Sequence, residues 1–201
     1  NLAGRGIAAG IARFSPDERM IVARNLRRAG VHMQGPFAER RAVQRVFDSY
    51  GRYWVDTLRL QHMSTRQVAE GITIEGFEHI EQAVQRGVAP ILALPHLGGW
   101  ELAARWLHDV KGLGVAAVVE EIEPKELFDW FLEVREGMGM NVIPLSEGAS
   151  GVTAALAAGE IVCLLCDRDI SGAGVDVEFF GERTTLPGGP ALMAIRSGSP
   201  L

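Results

Sequence analysis

The clearest chemical signal in the sequence is His96, which follows an apolar run ending at Pro95 and precedes a glycine-rich turn and the carboxylate of Glu101. An imidazole beside a carboxylate can remove a proton from a hydroxyl group. Gly98 and Gly99 permit the turn and let a substrate approach backbone N–H groups at the positive end of the next helix. A core histidine beside a helix N-terminal carboxylate would give the same pattern.

The spacing between His96 and Glu101 restricts how the two side chains can meet. Four residues lie between them, so on one continuous helix they would be about 140° apart. They converge only if the glycine-rich turn intervenes. We therefore expect His96 at the carboxyl end of a strand, where the loops of open α/β sheets carry ligand-binding residues.

A second charged cluster, Cys166-Asp-Arg-Asp169, also follows an apolar run. Charges at the end of a strand are costly unless they are paired or used in chemistry. Asp167 or Asp169 could orient the imidazole of His96, and Arg168 could hold these carboxylates or a phosphate. A structural ion-pair network is the alternative interpretation.

The two cysteines, Cys163 and Cys166, have C-x-x-C spacing but lie in or at the end of an apolar run. A zinc site needs further Cys or His ligands at matching spacing, and a redox pair would open a helix. We therefore predict that both thiols fill the core. Free thiols of this kind favour a reducing compartment and thus the cytoplasmic side of a membrane.

Hydrophobic periodicity predicts an α/β fold in which a mainly parallel central sheet is flanked by helices and preceded by a helical N-terminal segment. The whole chain is expected to form a single domain, with a helical part over 1–70 and a catalytic body over 71–201. Helices are predicted from the Ser15 cap to Gly30, from Pro36 toward Leu60, over 77–86, 99–108, 124–138 and 150–158, and from Pro187. Strands are predicted over 72–75, 89–94, 115–119, 141–145, 161–165 and 175–180.

The charge distribution is more informative than the net charge of −5, which argues against a surface made for nucleic acid. Residues 13–52 carry nine arginines against four acidic residues. A basic helical face of this kind fits an anionic membrane surface, although solvated charged faces are common. No apolar run approaches the length of a membrane span. Because the sequence starts with Asn1 and stops where another apolar strand is due, we expect a fragment with a truncated C-terminus.

The ordered motifs of the chain resemble those of the bacterial lysophospholipid and lipid A type acyltransferases, which carry His, four residues, then Asp or Glu. Within that family the pattern is most similar to the actinobacterial enzymes that acylate phosphatidylinositol mannosides. The resemblance covers most of the chain. Its motifs are Tyr50-Gly-Arg-Tyr-Trp54, Leu94-Pro-His-Leu-Gly-Gly-Trp-Glu101, Val119-Glu-Glu121, Pro124 with Phe131, Arg135-Glu136, Val142-Ile-Pro-Leu145, Arg168-Asp169, Val177-Glu-Phe-Phe-Gly181 and Pro187-Gly-Gly-Pro190.

The resemblance implies a glycerolipid acyltransferase-like fold and a role for each matching residue. It implies that His96 is the general base and that Glu101 is the motif carboxylate. Further active-site groups would be Glu120, Arg135 and Asp167. Asp167 stands where a Glu is expected, which leaves open whether Asp167 or Glu101 is the direct partner of His96. The loop with Phe180 and Gly181 resembles the acceptor-side loop, alongside substrate contacts from Gly98, Gly99, Arg168 and Asp169.

The reaction implied by the resemblance moves a fatty acyl group from acyl-CoA, a substrate rather than a cofactor, to a hydroxyl of a membrane glycolipid. A mannose of a phosphatidylinositol mannoside is the favoured acceptor, and acyl carrier protein could replace coenzyme A. Such an enzyme would lie peripherally on the cytoplasmic face of the plasma membrane, against anionic lipid. Neither a resident metal nor a nucleic-acid partner is expected.

Several other functions compete with this interpretation. A lipid A type lauroyl or myristoyl acyltransferase would carry the same motifs, and an acyl-CoA thioesterase would use water as acceptor. A serine hydrolase lacks its G-x-S-x-G motif here. A metal hydrolase could use His96, Glu101, His108 and Asp169, but their spacing matches no known metal motif. A lipid-binding module would leave the charged clusters unexplained.

Overall fold

The computed structural model describes residues 16–201, which form eight α-helices and six strands. The helices are α1 (Pro16–Arg28), α2 (Pro36–Leu60), α3 (Thr65–Glu70), α4 (Phe77–Gln85), α5 (Trp100–Asp109), α6 (Lys125–Glu136), α7 (Gly148–Ala157) and α8 (Gly189–Ser197). The strands are β1 (Ile91–Leu94), β2 (Val115–Val119), β3 (Met140–Pro144), β4 (Ile161–Leu165), β5 (Val175–Phe179) and β6 (Glu182–Leu186). A 3-10 turn, Leu145–Glu147, precedes α7.

The chain divides into two compact units. The helical unit contains the described residues up to Leu60 and the hairpin tip Glu178–Arg183, and the α/β unit contains Gln61–Val177 and Thr184–Leu201. The prediction of a single domain stays a prediction, because compact units of one chain can belong to one domain. The expected Ser15 cap of α1 lies outside the described residues.

The helical unit is an antiparallel pair of amphipathic helices. Acidic residues occupy the first turn of α1 and arginines its last turn, which complements the helix dipole. Its core is formed by Ala23 on α1 and by Val43 and Phe47 on α2. Burying the larger of these side chains contributes roughly 1.5–3 kcal/mol each. The arginines of both helices are exposed, except Arg19, which is half-buried.

The α/β unit is built on a four-stranded sheet, β1-β4-β2-β3, in which all neighbouring strands are parallel. One face packs against α7 and α8, through a core that includes Ile91, Ala116, Ile143, Val162 and Met193. Helices α5 and α6 also pack on the sheet, which confirms the predicted α/β class with a central parallel sheet. All four strands place their carboxyl ends at one edge, where the loops of the candidate site begin.

The structure corrects one predicted element of secondary structure and adds two that were not predicted. Residues 72–75 form no strand but connect α3 to α4, because Gly71 ends one helix and Gly76, at φ +76°, begins the next. The short helix α3 was not predicted, although Ser64 and Gln67 form a capping box at its start. Strand β6 was not predicted, because its polar sequence has no alternating pattern.

Candidate active site

The register of the central sheet brings His96 and Asp167 together. Strands β1 and β4 are parallel neighbours whose last paired residues are Leu94 and Leu165. The ladder continues by one hydrogen bond, from the N–H of Cys166 to the carbonyl of Leu94 at 2.9 Å. His96 and Asp167 each follow two residues after the last pair, and His96 Nδ1 lies 2.6 Å from Asp167 Oδ1. The structure thus selects Asp167 as the hydrogen-bonding partner of the imidazole.

The position of this pair in the sheet suits a binding site. After β1 the chain enters α5. After β4 it passes instead through the β5–β6 hairpin into α8, which packs with α7 on one face of the sheet. Ligands of open α/β sheets bind at the carboxyl ends of neighbouring strands whose connections diverge in this way. The side chains of His96 and Asp167 are 47% and 36% exposed, so a substrate can reach them.

The electrostatics of the pair fix the tautomer of His96. Partial burial alone would raise the pKa of Asp167, but hydrogen bonds from the His96 side chain and from backbone N–H groups of His96 and Asp167 hold that pKa below its ordinary value. Asp167 is therefore ionised at neutral pH and can only accept hydrogen bonds. The proton of a neutral His96 lies on Nδ1, and Nε2 keeps its lone pair free for a substrate proton.

The lowered pKa of Asp167 predicts how stability depends on pH. A carboxyl group whose pKa is depressed on folding stabilises the protein above its unfolded pKa, here 3.8, and loses that effect as the pH falls through the folded value. We expect Asp167→Asn to be less stable than wild type at pH 5 and the difference to shrink by pH 3. Urea unfolding at both pH values measures this. A difference in stability that stays constant or grows at pH 3 would contradict the lowered pKa of Asp167.

The turn after His96 prepares the N-terminus of α5 for an anion. Gly98 has φ +63°, a left-handed conformation that favours glycine, and Gly99 is the N-cap of α5 without a side-chain hydrogen bond. The first N–H groups of α5 therefore receive no side-chain cap. Helix N-termini of this kind attract negative charge.

Glu101 lies on α5 close to this turn but in a different environment. Its side chain is 1% exposed, and its Oε1 lies 3.4 Å from a guanidinium nitrogen of Arg135, which is 16% exposed. The guanidinium also lies 5.3 Å from the ring centres of Trp100 and Phe131. Glu101, predicted to be catalytic, and Arg135, predicted to bind substrate, thus form a buried ion pair between α5 and α6.

The ends of β2 and β3 repeat the geometry of the His96–Asp167 pair. The last paired residues are Val119 and Pro144, and two residues further on Glu121 accepts hydrogen bonds from the N–H and hydroxyl of Ser146, at 3.1 and 3.0 Å. Glu120, which was predicted to bind substrate, lies in the chain between Val119 and Glu121, and its side chain is exposed. The Glu121–Ser146 contact was missed, although a charged doublet directly after a strand is its signal.

The remaining predicted site residues fall into two groups. Arg168 is exposed beside Asp167, whereas Asp169 accepts four hydrogen bonds from its own loop and from Thr185. Phe180 and Gly181 form the two-residue turn between β5 and β6, at φ +51° and +77°, and belong to the helical unit.

Exposed aliphatic side chains surround the carboxyl edge of the sheet. Leu97, Leu145 and Ile170 are 75%, 48% and 51% exposed, and they follow β1, β3 and β4 respectively. Exposed large apolar side chains at the edge of a sheet that also carries a polar pair are typical of a site for an apolar ligand.

The cysteines and the possible metal ligands are arranged as follows. Cys163 is buried in the sheet, which confirms the core prediction for this residue, and burial raises its pKa to about 12. Cys166 is half-buried, with a raised thiol pKa caused by burial and by Asp167. Within residues 16–201, no three His, Cys, Asp or Glu side chains are grouped to hold a metal ion.

Comparison with known proteins identifies the class of this fold and site. The sequence profile described as "Bacterial lipid A biosynthesis acyltransferase" matches residues 1–201. The chain belongs to the bacterial lipid A biosynthesis acyltransferase family, which confirms the resemblance drawn from the motifs.

The chain is also similar to individual proteins of known name. It is 38% identical over 160 residues to phosphatidylinositol mannoside acyltransferase of Mycobacterium tuberculosis, a match that covers 77% of this chain and 50% of that protein. It is 37% identical over 158 residues to phosphatidylinositol mannoside acyltransferase of Mycolicibacterium smegmatis, covering 76% of this chain and 51% of that protein. The chain thus spans about half the length of the curated relatives it matches.

Proposed function

We propose that the protein transfers a fatty acyl group from acyl-CoA to a hydroxyl of a membrane glycolipid, a mannose of a phosphatidylinositol mannoside. The observation that carries this proposal is the 2.6 Å contact between His96 and Asp167 at the accessible edge of the sheet. Family membership supports acyl transfer, and the names of the mycobacterial relatives support this acceptor. Acyl-CoA is a substrate in this account, and the proposed chemistry needs no cofactor.

In the proposed reaction His96 is the general base. Its Nε2 takes the proton of the acceptor hydroxyl while the hydroxyl oxygen attacks the carbonyl carbon of the thioester. The new C–O bond forms, the C–S bond breaks, and the imidazolium returns the proton to the leaving sulfur as the thiol of coenzyme A. Asp167 holds Nδ1–H and stabilises the imidazolium formed in the first step.

The surroundings of the pair supply the other requirements of acyl transfer. Backbone N–H groups at Gly98, Gly99 and the start of α5 would bind the oxygen that becomes negative during attack. The exposed guanidinium of Arg168 would bind phosphate groups of coenzyme A. The aliphatic rim made by Leu97, Leu145 and Ile170 would contact the acyl chain.

The two glutamates have separate roles in this proposal. Glu101 acts through its ion pair with Arg135, which holds the start of α5 next to His96, so both are positioning residues. Glu120 is exposed beyond β2 and would accept hydrogen bonds from sugar hydroxyls of the acceptor. Phe180 and Gly181 are proposed as acceptor contacts on the basis of the sequence resemblance alone.

Two alternative functions follow from specific observations. The family description fits a lipid A type lauroyl or myristoyl acyltransferase, which would use the same residues on another acceptor. The exposure of His96 also fits an acyl-CoA thioesterase, because water can reach the imidazole. The acceptor requirement separates transfer from hydrolysis, and acceptor choice separates the two transferases.

Thiol release from palmitoyl-CoA tests the proposed function. We expect release to be slow without acceptor and to rise at least about tenfold with a phosphatidylinositol mannoside, even with a chelator present. Release that does not depend on the acceptor would identify a thioesterase. Activation only by a lipid A precursor would identify the alternative transferase, and loss of activity with the chelator would identify a metal enzyme.

We also propose that the helical unit attaches the protein peripherally to anionic lipid at the cytoplasmic face of the plasma membrane. A cavity of about 440 Å³ lies between the α1–α2 connection and α2, lined by Val31, His32, Met33, Ala38, Arg41, Ala42, Gln44, Arg45 and Asp48. Arg40 and the exposed ring of Phe37 line an adjoining hollow that shares Arg41. None of the helices described over 16–201 is long and apolar enough to cross a membrane.

The charges around this cavity favour an anionic headgroup. Glu39 is paired with Arg27 at 2.8 Å, and Asp48 accepts a hydrogen bond from Gln44 at 3.0 Å. Arg40, Arg41 and Arg45 lie on the same part of α2. The structure shows no ion pair between any of these three arginines and another residue of the range 16–201. Glu39 is thus engaged by Arg27, and Arg40, Arg41 and Arg45 outnumber the one remaining local carboxylate, Asp48, so that they can bind lipid phosphates.

Replacing Arg40, Arg41 and Arg45 with glutamine together is expected to weaken binding to anionic vesicles at least about tenfold, because each such charge near the surface contributes about 1 kcal/mol. Cosedimentation with phosphatidylglycerol vesicles measures the change, and neutral phosphatidylcholine vesicles give the baseline. The control variant replaces Arg24, Arg52 and Arg59, three exposed arginines of the same unit outside the cavity. Equal losses in both variants would mean that net charge alone drives binding.

A further inference from the structure

A single carboxylate closes the loop that follows Asp167. Asp169 Oδ1 accepts hydrogen bonds from the Ser171 hydroxyl and the Gly172 N–H, at 3.1 and 2.9 Å. Its Oδ2 accepts from the Gly174 N–H and the Thr185 hydroxyl, at 3.0 and 2.8 Å. One side chain therefore joins the loop after β4, the residue that precedes β5, and strand β6.

The space around Gly174 requires the absence of a side chain. A Cβ on Gly174 would lie 2.6 Å from Asp169 Oδ2 and 2.7 Å from the carbonyl oxygen of Leu186. Both distances are far below van der Waals contact, and one of the two neighbours is backbone that cannot move aside easily. Glycine at this position allows the N–H of Gly174 to approach the carboxylate directly.

The electrostatics of this contact match its geometry. The Thr185 hydroxyl holds the pKa of Asp169 below its ordinary value, and the two backbone N–H groups and the Ser171 hydroxyl act in the same direction although burial opposes them. Asp169 is therefore an ionised acceptor at neutral pH. Charge-assisted hydrogen bonds of this kind are stronger than neutral ones.

The location of the contact links it to the candidate active site. On one side of Asp167, the Cys166 N–H is held by the Leu94 carbonyl at 2.9 Å. On the other side, two residues later, Asp169 is held by four donors. Asp167 and Arg168 thus lie between two fixed points of the chain, and the carboxylate of Asp167 is presented to His96 from there.

We propose that Asp169, Gly174 and Thr185 form a clamp that positions Asp167 against His96. The proposal rests on the proposed acyltransferase function. Asp169 is a positioning residue in this account and does not bind substrate, because its two oxygens are already occupied by donors of the protein. Thr185 lies in no sequence motif of the active site and acts through Asp169 alone.

Two substitutions of Thr185 test the clamp. Thr185→Val keeps the shape of the side chain but removes the hydroxyl, and Thr185→Ser keeps the hydroxyl. We expect Thr185→Val to lower kcat about ten- to a hundredfold with little change in the KM of the acceptor, because small displacements of catalytic groups have effects of this size. Thr185→Ser should stay within about threefold of wild type. Equal kcat values for Thr185→Val and wild type would overturn the proposal.

Hydrogen exchange of residues 166–175 provides a readout that does not depend on activity. We expect faster exchange of this loop in Thr185→Val and in Gly174→Ala, and wild-type exchange in Thr185→Ser. Unchanged exchange in both Thr185→Val and Gly174→Ala would overturn the clamp even if activity fell. A wild-type protein without acyl transfer but with this exchange pattern would refute the proposed function and keep the clamp as a structural contact.

Discussion

Replacing His96 with alanine is expected to lower kcat of acyl transfer by about 10²–10⁴-fold, because a positioned general base contributes an acceleration of this size. The KM values should change little, since the imidazole takes up its proton during attack and contributes little to ground-state binding. Because the side chain is 47% exposed, its removal leaves no large cavity, and the melting temperature should fall only by the loss of the contact with Asp167.

A second histidine substitution controls for this measurement. His79 is exposed on α4 and has no role in the proposed mechanism. His79→Ala should retain wild-type kcat under the same conditions. A His96→Ala variant that folds normally and keeps its kcat would refute the general-base role, whereas loss of activity in both variants would point to a damaged fold.

Replacing Glu101 with alanine is expected to lower the free energy of unfolding by about 3–5 kcal/mol, because it leaves the charge of the largely buried Arg135 without this partner. Urea unfolding of the wild type and the variant measures the difference. The double variant Glu101→Leu with Arg135→Met should recover much of the loss, since replacing both charges removes the buried cation as well.

An exposed ion pair gives the matched control for this experiment. Arg66 and Glu70 form a 2.8 Å pair on α3 with side chains 83% and 62% exposed. Glu70→Ala should change the free energy of unfolding by less than about 1 kcal/mol, because water screens such pairs. If Glu101→Ala costs no more than Glu70→Ala, the structural role given to the Glu101–Arg135 pair is wrong.

The strands of the central sheet could be predicted because their sequences differ from the rest of the chain. Segments such as Val115–Val119 and Ile161–Leu165 are continuous apolar runs, as expected for parallel strands covered by helices on both faces. Residues 72–75, Ile-Thr-Ile-Glu, alternate between apolar and polar as a half-buried strand would, but they pair with no strand among residues 16–201. Strand β6 is mostly polar and pairs only with its hairpin partner β5 within the described residues. Its own sequence therefore has no apolar run or alternation that would predict a strand.

The candidate site was only partly predictable for a different reason. The sequence placed His96 and Asp167 at the ends of two strands, but it could not say that β1 and β4 are neighbours, because strand order depends on the whole fold. Without that order Glu101 was an equal candidate, being close in the chain. The contact between Asp169 and Thr185 is equally nonlocal, and only the β5–β6 hairpin brings these two residues together.

The most direct test of the account compares thiol release with formation of acylated glycolipid in the same reaction. The protein is incubated with palmitoyl-CoA and a phosphatidylinositol mannoside, the thiol is titrated, and the lipid product is quantified by mass spectrometry. The proposed mechanism predicts one acylated glycolipid for each thiol released, and neither product above background with His96→Ala. Thiol release without an acylated lipid, or unchanged acylation by His96→Ala, would contradict it.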